Sequence, residues 1–348
     1  MSMTAVPGAL SAEERTAILD AVREFSDTRL APHALDWDRR KHFPRDVLAA
    51  AGELGLGGIY VRDDVGGSGL TRRDAAAIFE QLAMGDPTIA AYVSIHNMVA
   101  WMIDAHGTAA QRHEWLPRLV TMRDLGAYCL TEPGAGSDAA AITTSAIRDG
   151  DEYVLTGVKQ FISGAGEASV YVVMARTGEP GAKGITAFLV PAATERLAFG
   201  PNEHKMGWNA QPTRQVILDE VRVPASAVLG ELGGGFRIAM TGLNGGRVNI
   251  AACSIGGAQW ALDRAVRYVH ERFTFGEALA QRQSVVFTLA DMATQLQAAR
   301  ALVRDAAHAI DEHADDVAVR CAMAKRFATD AGFEVANQAL QLHGGYGY

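Results

Sequence analysis

This sequence predicts an α+β fold in three consecutive parts: N-terminal helices, a middle antiparallel β domain and a C-terminal helix bundle. Three signals point there: a capped, apolar-periodic beginning, a central series of short β-branched runs, and a long helical seam towards the end. At 348 residues the chain is too long for one simple core. The texture changes place the parts at 1–121, 122–232 and 233–348.

Ser11 and Glu14 open the first part as an S-x-x-E capping box, in which each side chain satisfies an amide at the start of a helix. Up to about residue 120 the chain then reads as helices punctuated by glycine. GELGLGGIYVRDDVGGSGL (52–70) has a superficial dinucleotide-loop spacing. It lacks a clear preceding strand and a partnered acidic residue in a βαβ unit, so it reads as turns.

The second part holds EYVLTGVKQFIS, SVYVVMAR, GITAFLVP and RQVILDEVRVP, β-branched runs bounded by Gly, Pro, Asp and Asn. Such spacing predicts an antiparallel sheet or barrel-like domain. GELGGGF (230–236) marks its end. In the third part, Val285, Leu289, Met292, Leu296, Ala299, Val303, Ala306 and Ile310 follow one another at alternating steps of four and three. That is the seam of a helix packed in a bundle.

Hydrophobic residues make up 49% of the chain and the formal net charge is -8. With no long basic run, nucleic acid is excluded as the main partner, because neutralising phosphates takes clustered Lys and Arg. An anionic small molecule needs only one or two placed cations. Cys129, Cys253 and Cys321 are scattered singly and read as buried thiols, not as a disulfide framework or metal site. His308 and His313, among Asp311, Glu312, Asp315 and Asp316, resemble a metal site in composition alone and read as a solvated turn. No apolar run approaches the roughly 20 residues of a membrane span. The N-terminal residues show neither signal-peptide nor transit-peptide pattern, so a soluble, cytoplasmic protein is expected.

One short stretch carries more chemistry than the rest. In YCLTEPGAGSD (128–138), Pro133 fixes the loop entry, and Gly134 and Gly136 allow a ligand close to the backbone. Successive N–H groups there can form an anion-binding nest, with Ser137 adding a hydroxyl. No G-K-[ST] follows, so this is not a P-loop, and an ordinary connection from a strand fits the residues equally well. Glu132 and Asp138 would turn outward and bond the loop's own backbone.

Read in order, YCLTEPGAGSD, KQFISGAGEA (159–168), KMGWNAQPTRQVILDEVRVP (205–224), GLNGGRVNIAA (242–252), ERFTFGEALAQRQ (271–283) and QLHGGYGY (341–348) resemble the acyl-CoA dehydrogenase family. The resemblance covers nearly the whole chain. It implies that the 128–138 loop cradles FAD. Tyr128, Leu130 and Thr131 would border the flavin's polar edge, and Gly136 and Ser137 would approach its diphosphate, Ser137 also touching the acyl-CoA. Phe161, Ile162 and Ser163 would lie against the flavin. Phe161 stands where a tryptophan is common in the family, and Ser163 where a threonine is, with a hydroxyl able to donate towards flavin N5.

The resemblance further implies that Asn244, Gly245, Gly246 and Arg247 contact the substrate. Arg272, Thr274, Phe275, Arg282 and Gln283 would reach the FAD of a neighbouring subunit. Gln341, Leu342, His343, Gly344 and Gly345 would form another FAD contact, with no chemistry assigned to His343. A cofactor completed across subunits implies a homo-oligomer, in this family typically a tetramer.

The implied reaction is FAD-dependent α,β-dehydrogenation of a short branched-chain acyl-CoA, isobutyryl-CoA to methacrylyl-CoA in valine breakdown, with electrons passed to electron-transfer flavoprotein. A carboxylate in a dry pocket has a raised pKa and serves as the base. The family's usual glutamate falls about 35 residues beyond HGGYGY, and the alternative position of some relatives is Gly246 here. The catalytic base is therefore expected beyond Tyr348, together with the last helix of the bundle, and Glu80, Glu167 and Glu271 are not promoted to that role. Three other readings stand beside this one. They are a 2-methylbutyryl or straight short-chain substrate, a flavin monooxygenase on the same scaffold, and a flavin- or acyl-CoA-binding protein that lacks the base.

Overall fold

The structure, a computed structural model, describes residues 10–348. It separates into two compact units: one gathers the residues up to 34, 71–91 and 244–348, the other 35–70 and 92–243. Among the described residues no helix is long and apolar enough to cross a membrane.

The first unit is helical. Helix α1 (Ala12–Phe25) starts at the expected capping box, with Ser11 N donating to Glu14 Oε2 at 2.8 Å and Glu14 N to Ser11 Oγ at 3.1 Å. Continuing the helix numbering of the whole chain, this unit also holds α4 (Arg72–Gly85), most of α7 (Gly235–Glu271), α8 (Gln283–Asp311) and α9 (Val317–Leu342). On α8 the seam residues Met292, Leu296, Ala299, Val303 and Ala306 are buried, while Val285, Leu289 and Ile310 are half-buried near its ends. Arg300 of α8 reaches Glu80 of α4 at 2.7 Å. Asp311 is not part of a solvated turn: its carboxylate accepts from the first amides of α4, Arg72 N at 2.8 Å and Arg73 N at 3.2 Å. An acid at a helix N-terminus satisfies orphan donors and opposes the positive end of the dipole. Gly256 of α7 lets the helices come close, since a Cβ there would stand 2.1 Å from Glu80 O.

The second unit holds α2 (Ala34–Arg40), α3 (Arg45–Glu53), most of α5 (Pro87–His106), α6 (Ala109–Val120) and one sheet. The GELGLGGIYVRDDVGGSGL stretch runs from the last two residues of α3 into turns and a short 3₁₀ segment, with no strand among the described residues before it, as expected. The sheet comprises β1 (Gly126–Cys129), β2 (Ser145–Asp149), β3 (Glu152–Ser163), β4 (Val170–Arg176), β5 (Ile185–Pro191), β6 (Leu197–Phe199), β7 (Thr213–Pro224) and β8 (Val228–Leu229). Its order is β6-β7-β3-β2-β4-β5-β8, with β1 on the flank of β4.

The sheet departs from the antiparallel expectation in two pairings, both on β4: β1 pairs with β4 in parallel, from Gly126↔Val170 to Cys129↔Val173, and β2 meets β4 in parallel at Ser145↔Arg176. Parallel neighbours need a long crossover, and the 130–144 loop with β2 and β3 supplies it. Strand β4 is buried on both faces. Val170, Val172 and Met174 join a core with Val99, Ile103 and Leu119 of the helices, while Tyr171, Val173 and Ala175 join one with Phe188, Val216 and Leu218. A strand covered on both sides reads as a continuous apolar run.

His96 ties α5 to the start of this sheet. Fully buried, its Nε2–H donates to Leu119 O at 2.9 Å, and its Nδ1 accepts from Gly126 N at 3.1 Å, which fixes the neutral tautomer. Burial pulls its pKa down to about 4, against hydrogen bonds that favour the charged form. The folded value lies below the unfolded one, near 6.5, so the stabilisation is fully present above about 6.5 and is lost as the pH falls towards 4. Denaturation midpoints should drop between pH 7 and pH 4.5 more steeply in the wild type than in His96→Gln. Parallel pH profiles would contradict the assignment.

Candidate functional site

The site residues expected from the sequence fall into three clusters. The first lies in the sheet unit, where β1 delivers the chain into the glycine loop. Tyr128 is half-buried and its hydroxyl is enclosed without a hydrogen-bond partner, and burial pushes its pKa upward. Leu130 is buried, and Thr131 O accepts from Gln160 N at 2.8 Å. The loop folds on itself through Glu132 and Ala135, whose N–H and C=O groups exchange bonds of 3.0 and 3.1 Å. Gly134 and Gly136 do not have positive φ, and a Cβ on either would meet nothing within 4 Å. No intramolecular contact therefore requires glycine at either position; its effect is to leave the peptide groups bare to an approaching molecule. Ser137 is exposed beside them.

Glu132 does not turn outward as expected. It is buried, with Oε1 accepting from Lys159 Nζ at 2.7 Å and Thr144 N at 3.0 Å, and Oε2 from Thr143 N at 2.6 Å and Thr143 Oγ1 at 2.9 Å. Burial favours its neutral form, but Lys159 and the surrounding donors outweigh burial and hold the carboxyl at about 2. Lys159 is completely enclosed and also donates to Leu130 O at 3.1 Å, while burial pulls its own pKa down. Asp138, by contrast, stays exposed.

Immediately after Lys159 the β3–β7 register shifts, passing from Lys159↔Val216 to Ile162↔Arg214. Phe161 sits in that bulge at φ +58°, left-handed for an aromatic residue, and is 61% exposed. Such a conformation costs about 1–3 kcal/mol and persists where the surroundings impose it. Ile162 turns inward and Ser163 lies opposite Thr213. Phe161 and Ser163 line a hollow of about 640 Å³ with Lys205, Met206, Trp208 and Thr213.

The second cluster lies in the helical unit. Strands β9 (Phe273–Thr274) and β10 (Glu277–Ala278) form a hairpin whose turn residues, Phe275 and Gly276, have φ of +52° and +86°. Positive φ at both central residues is the turn that matches the twist of a two-residue hairpin. Arg282 donates to Thr274 O at 3.1 Å and lies over the exposed Phe275 ring at 5.2 Å, and Gln283 begins α8. Gln341 and Leu342 end α9, and His343 stacks on Tyr268 at 4.6 Å. Arg272, Thr274, Leu342, His343, Gly344 and Gly345 line one hollow of about 460 Å³. The structure thus brings together two motifs nearly 70 residues apart. A guanidinium, a hydroxyl and open glycine backbone are donors suited to a phosphate group.

The third cluster is on α7. Arg247 Nη1 donates to Asn244 Oδ1 at 2.6 Å. A Cβ on Gly245 would come within 2.6 Å of Arg72 Nη1, so glycine makes room for that guanidinium, and Gly246 is half-buried beside it. The glutamates set aside as bases have other positions: Glu80 is held by Arg300, Glu167 pairs with Arg45 at 3.4 Å, and Glu271 is exposed. Among the described residues no group of His, Cys, Asp or Glu is arranged to hold a metal ion.

Sequence reasoning missed Lys159 and Tyr268. For Lys159 a signal existed: the alternation set by buried Tyr153 and Leu155 sends residue 159 inward, and an inward lysine demands a partner.

Three family models match the chain in order: the acyl-CoA dehydrogenase N-terminal domain over residues 12–123, the middle domain over 127–221 and the C-terminal domain over 233–348. The mitochondrial isobutyryl-CoA dehydrogenase of Bos taurus is 51% identical over 336 residues, covering 97% of this chain and 81% of that protein. The butyryl-CoA dehydrogenase structure from Megasphaera elsdenii superimposes with a TM-score of 0.94 at 37% identity, covering 99% of this chain and 90% of the other. A glutaryl-CoA dehydrogenase of Mycobacterium smegmatis, solved in complex with FADH2, matches with a TM-score of 0.91 at 29% identity, covering 97% and 86%.

Gly136 provides a direct check on the loop. Gly136→Val should leave unfolding stability within about 0.5 kcal/mol, because its side chain meets only solvent. The same variant should lose FAD on gel filtration where the wild type retains it. Equal retention would show that the loop backbone faces no ligand.

Proposed function

The chain belongs to the acyl-CoA dehydrogenase family, whose members are FAD enzymes acting on CH–CH groups, and on that premise we propose that it dehydrogenates a short branched-chain acyl-CoA. The substrate is isobutyryl-CoA and the product methacrylyl-CoA, a step of valine breakdown. The identity of half the residues with an isobutyryl-CoA dehydrogenase along nearly the whole chain carries this choice.

The chain's own residues fit FAD. The bare peptide groups at Gly134 and Gly136 offer donors to a ligand, beside the enclosed Tyr128 hydroxyl that has no partner of its own. In this reading Tyr128, Leu130 and Thr131 hold the polar edge of the flavin, Gly136 and Ser137 its diphosphate, and Phe161, Ile162 and Ser163 its ring. Arg272, Thr274, Phe275, Arg282 and Gln283, with Gln341 to Gly345, serve the cofactor of a neighbouring subunit, and the assembly is a tetramer. FAD, when bound, supplies the acceptor for the hydride that leaves the substrate's β-carbon.

Asn244, Gly245, Gly246, Arg247 and Ser137 bind the acyl-CoA. Arg247 is oriented for an anionic or carbonyl oxygen by its bond to Asn244. Donors aimed at the thioester carbonyl stabilise the enolate charge that grows as the α-proton leaves. No carboxylate of the three clusters is assigned that proton. Electron-transfer flavoprotein takes the electrons onward, and the chain divides at 1–121, 122–232 and 233–348.

Steady-state assays of the intact protein with electron-transfer flavoprotein as acceptor test the substrate. One methylene is worth about 1–3 kcal/mol in an apolar pocket, roughly 10–200-fold. kcat/KM for isobutyryl-CoA should therefore exceed that for butyryl-CoA and 2-methylbutyryl-CoA by about tenfold or more. A preference for either of the others would overturn the assignment.

A further inference from the structure

We propose that Glu132 and Lys159 are positioning residues: their buried pair locks the glycine loop and the β3 bulge into one register and so builds the flavin site. The inference rests on the reading that those two segments contact FAD.

Every bond of the pair goes to a segment that matters for that reading. Lys159 Nζ holds Leu130 O, at the point where β1 gives way to the loop. Glu132 holds Thr143 and Thr144, where the chain leaves the loop to begin β2. The carboxylate thus staples the entry of the loop to its exit across eleven residues of sequence, and two donors serve each of its oxygens. On the other side, Lys159 is the last β3 residue in regular pairing before the bulge that carries Phe161 and leads into Ile162 and Ser163. Gln160 N, next to it, bonds Thr131 O. Loop and bulge therefore share one fastening.

Stability alone does not account for an ion pair in that place. Taking two charges out of water costs several kcal/mol per ion, and well-packed apolar residues of similar volume often do as well or better. The charges instead add direction. An ammonium and a carboxylate accept few geometries, whereas two apolar side chains would leave the loop free to slide. Neither side chain is exposed enough to reach a ligand, with Lys159 at 0% and Glu132 at 5%, so their action on FAD passes through the backbone they hold.

Stability and positioning separate in a set of three variants. Lys159→Met strands the Glu132 carboxylate and should lower both the melting temperature and the FAD affinity. In the double variant Lys159→Met with Glu132→Met no charge is stranded, so the melting temperature should recover towards the wild-type value. The FAD Kd should nevertheless stay raised by about tenfold or more, with the flavin absorption band losing its fine structure. Glu132→Asp keeps the charge but is one methylene too short to reach all its donors, and it should show the same FAD defect in a folded protein. It decides the matter if the double variant fails to fold. Wild-type FAD affinity and spectrum in the double variant, or in Glu132→Asp, would overturn the inference alone. A wild-type protein that binds no FAD would overturn the underlying reading and the inference with it.

Discussion

A carboxylate and an ammonium shut away from water, Glu132 against Lys159 at 2.7 Å, constrain most of what surrounds them. Burying two such charges is costly unless each finds hydrogen-bond partners. The chain supplies them by bringing together the end of β1, the start of β2 and the last regular pair of β3. Once those three points are fixed, the glycine loop has no freedom to fold back into the sheet. Its bare peptide groups remain at the surface, and the strained Phe161 follows from the bulge that begins where the lysine ends.

Much of the architecture was legible because it rests on local signals. The Ser11–Glu14 box needs only four residues, and the α8 seam declares its period over seven successive steps. Where the fold depends on distant partners the sequence was silent. The parallel placement of β1 against β4 is a choice made by crossover length and burial on both faces, and nothing in GAYC or VYVVMAR encodes direction. Strands β2, β6 and β8 are too short or too exposed to show alternation. Asp311 illustrates the same limit: in sequence it sits in an acidic run, and only the tertiary structure reveals that it caps another helix.

The candidate site was legible in its motifs and obscure in its supports. Ordered glycine and arginine motifs singled out residues that the structure gathers into three clusters. The hollow shared by Arg272 and Gly344 joins segments whose nearness no periodicity could foretell. Glu132 bonds loop backbone at Thr143 N and Thr144 N as its position predicts, but from inside, whereas a lone acid beside a glycine loop is ordinarily solvated. Only its pairing with an inward lysine 27 positions later reverses that expectation. Supports of this kind become visible when strand alternation is read for misplaced charges as well as for apolar faces.

Oxidation of isobutyryl-CoA by bound FAD is the reaction proposed for this protein. The most direct measurement is an anaerobic titration of the purified, FAD-loaded natural polypeptide with isobutyryl-CoA, following the oxidised-flavin absorbance. Stoichiometric bleaching, stronger than with butyryl-CoA or 2-methylbutyryl-CoA, is the result expected. A protein that stays yellow with every thioester would rule that reaction out and leave a flavin-binding chain without dehydrogenation chemistry.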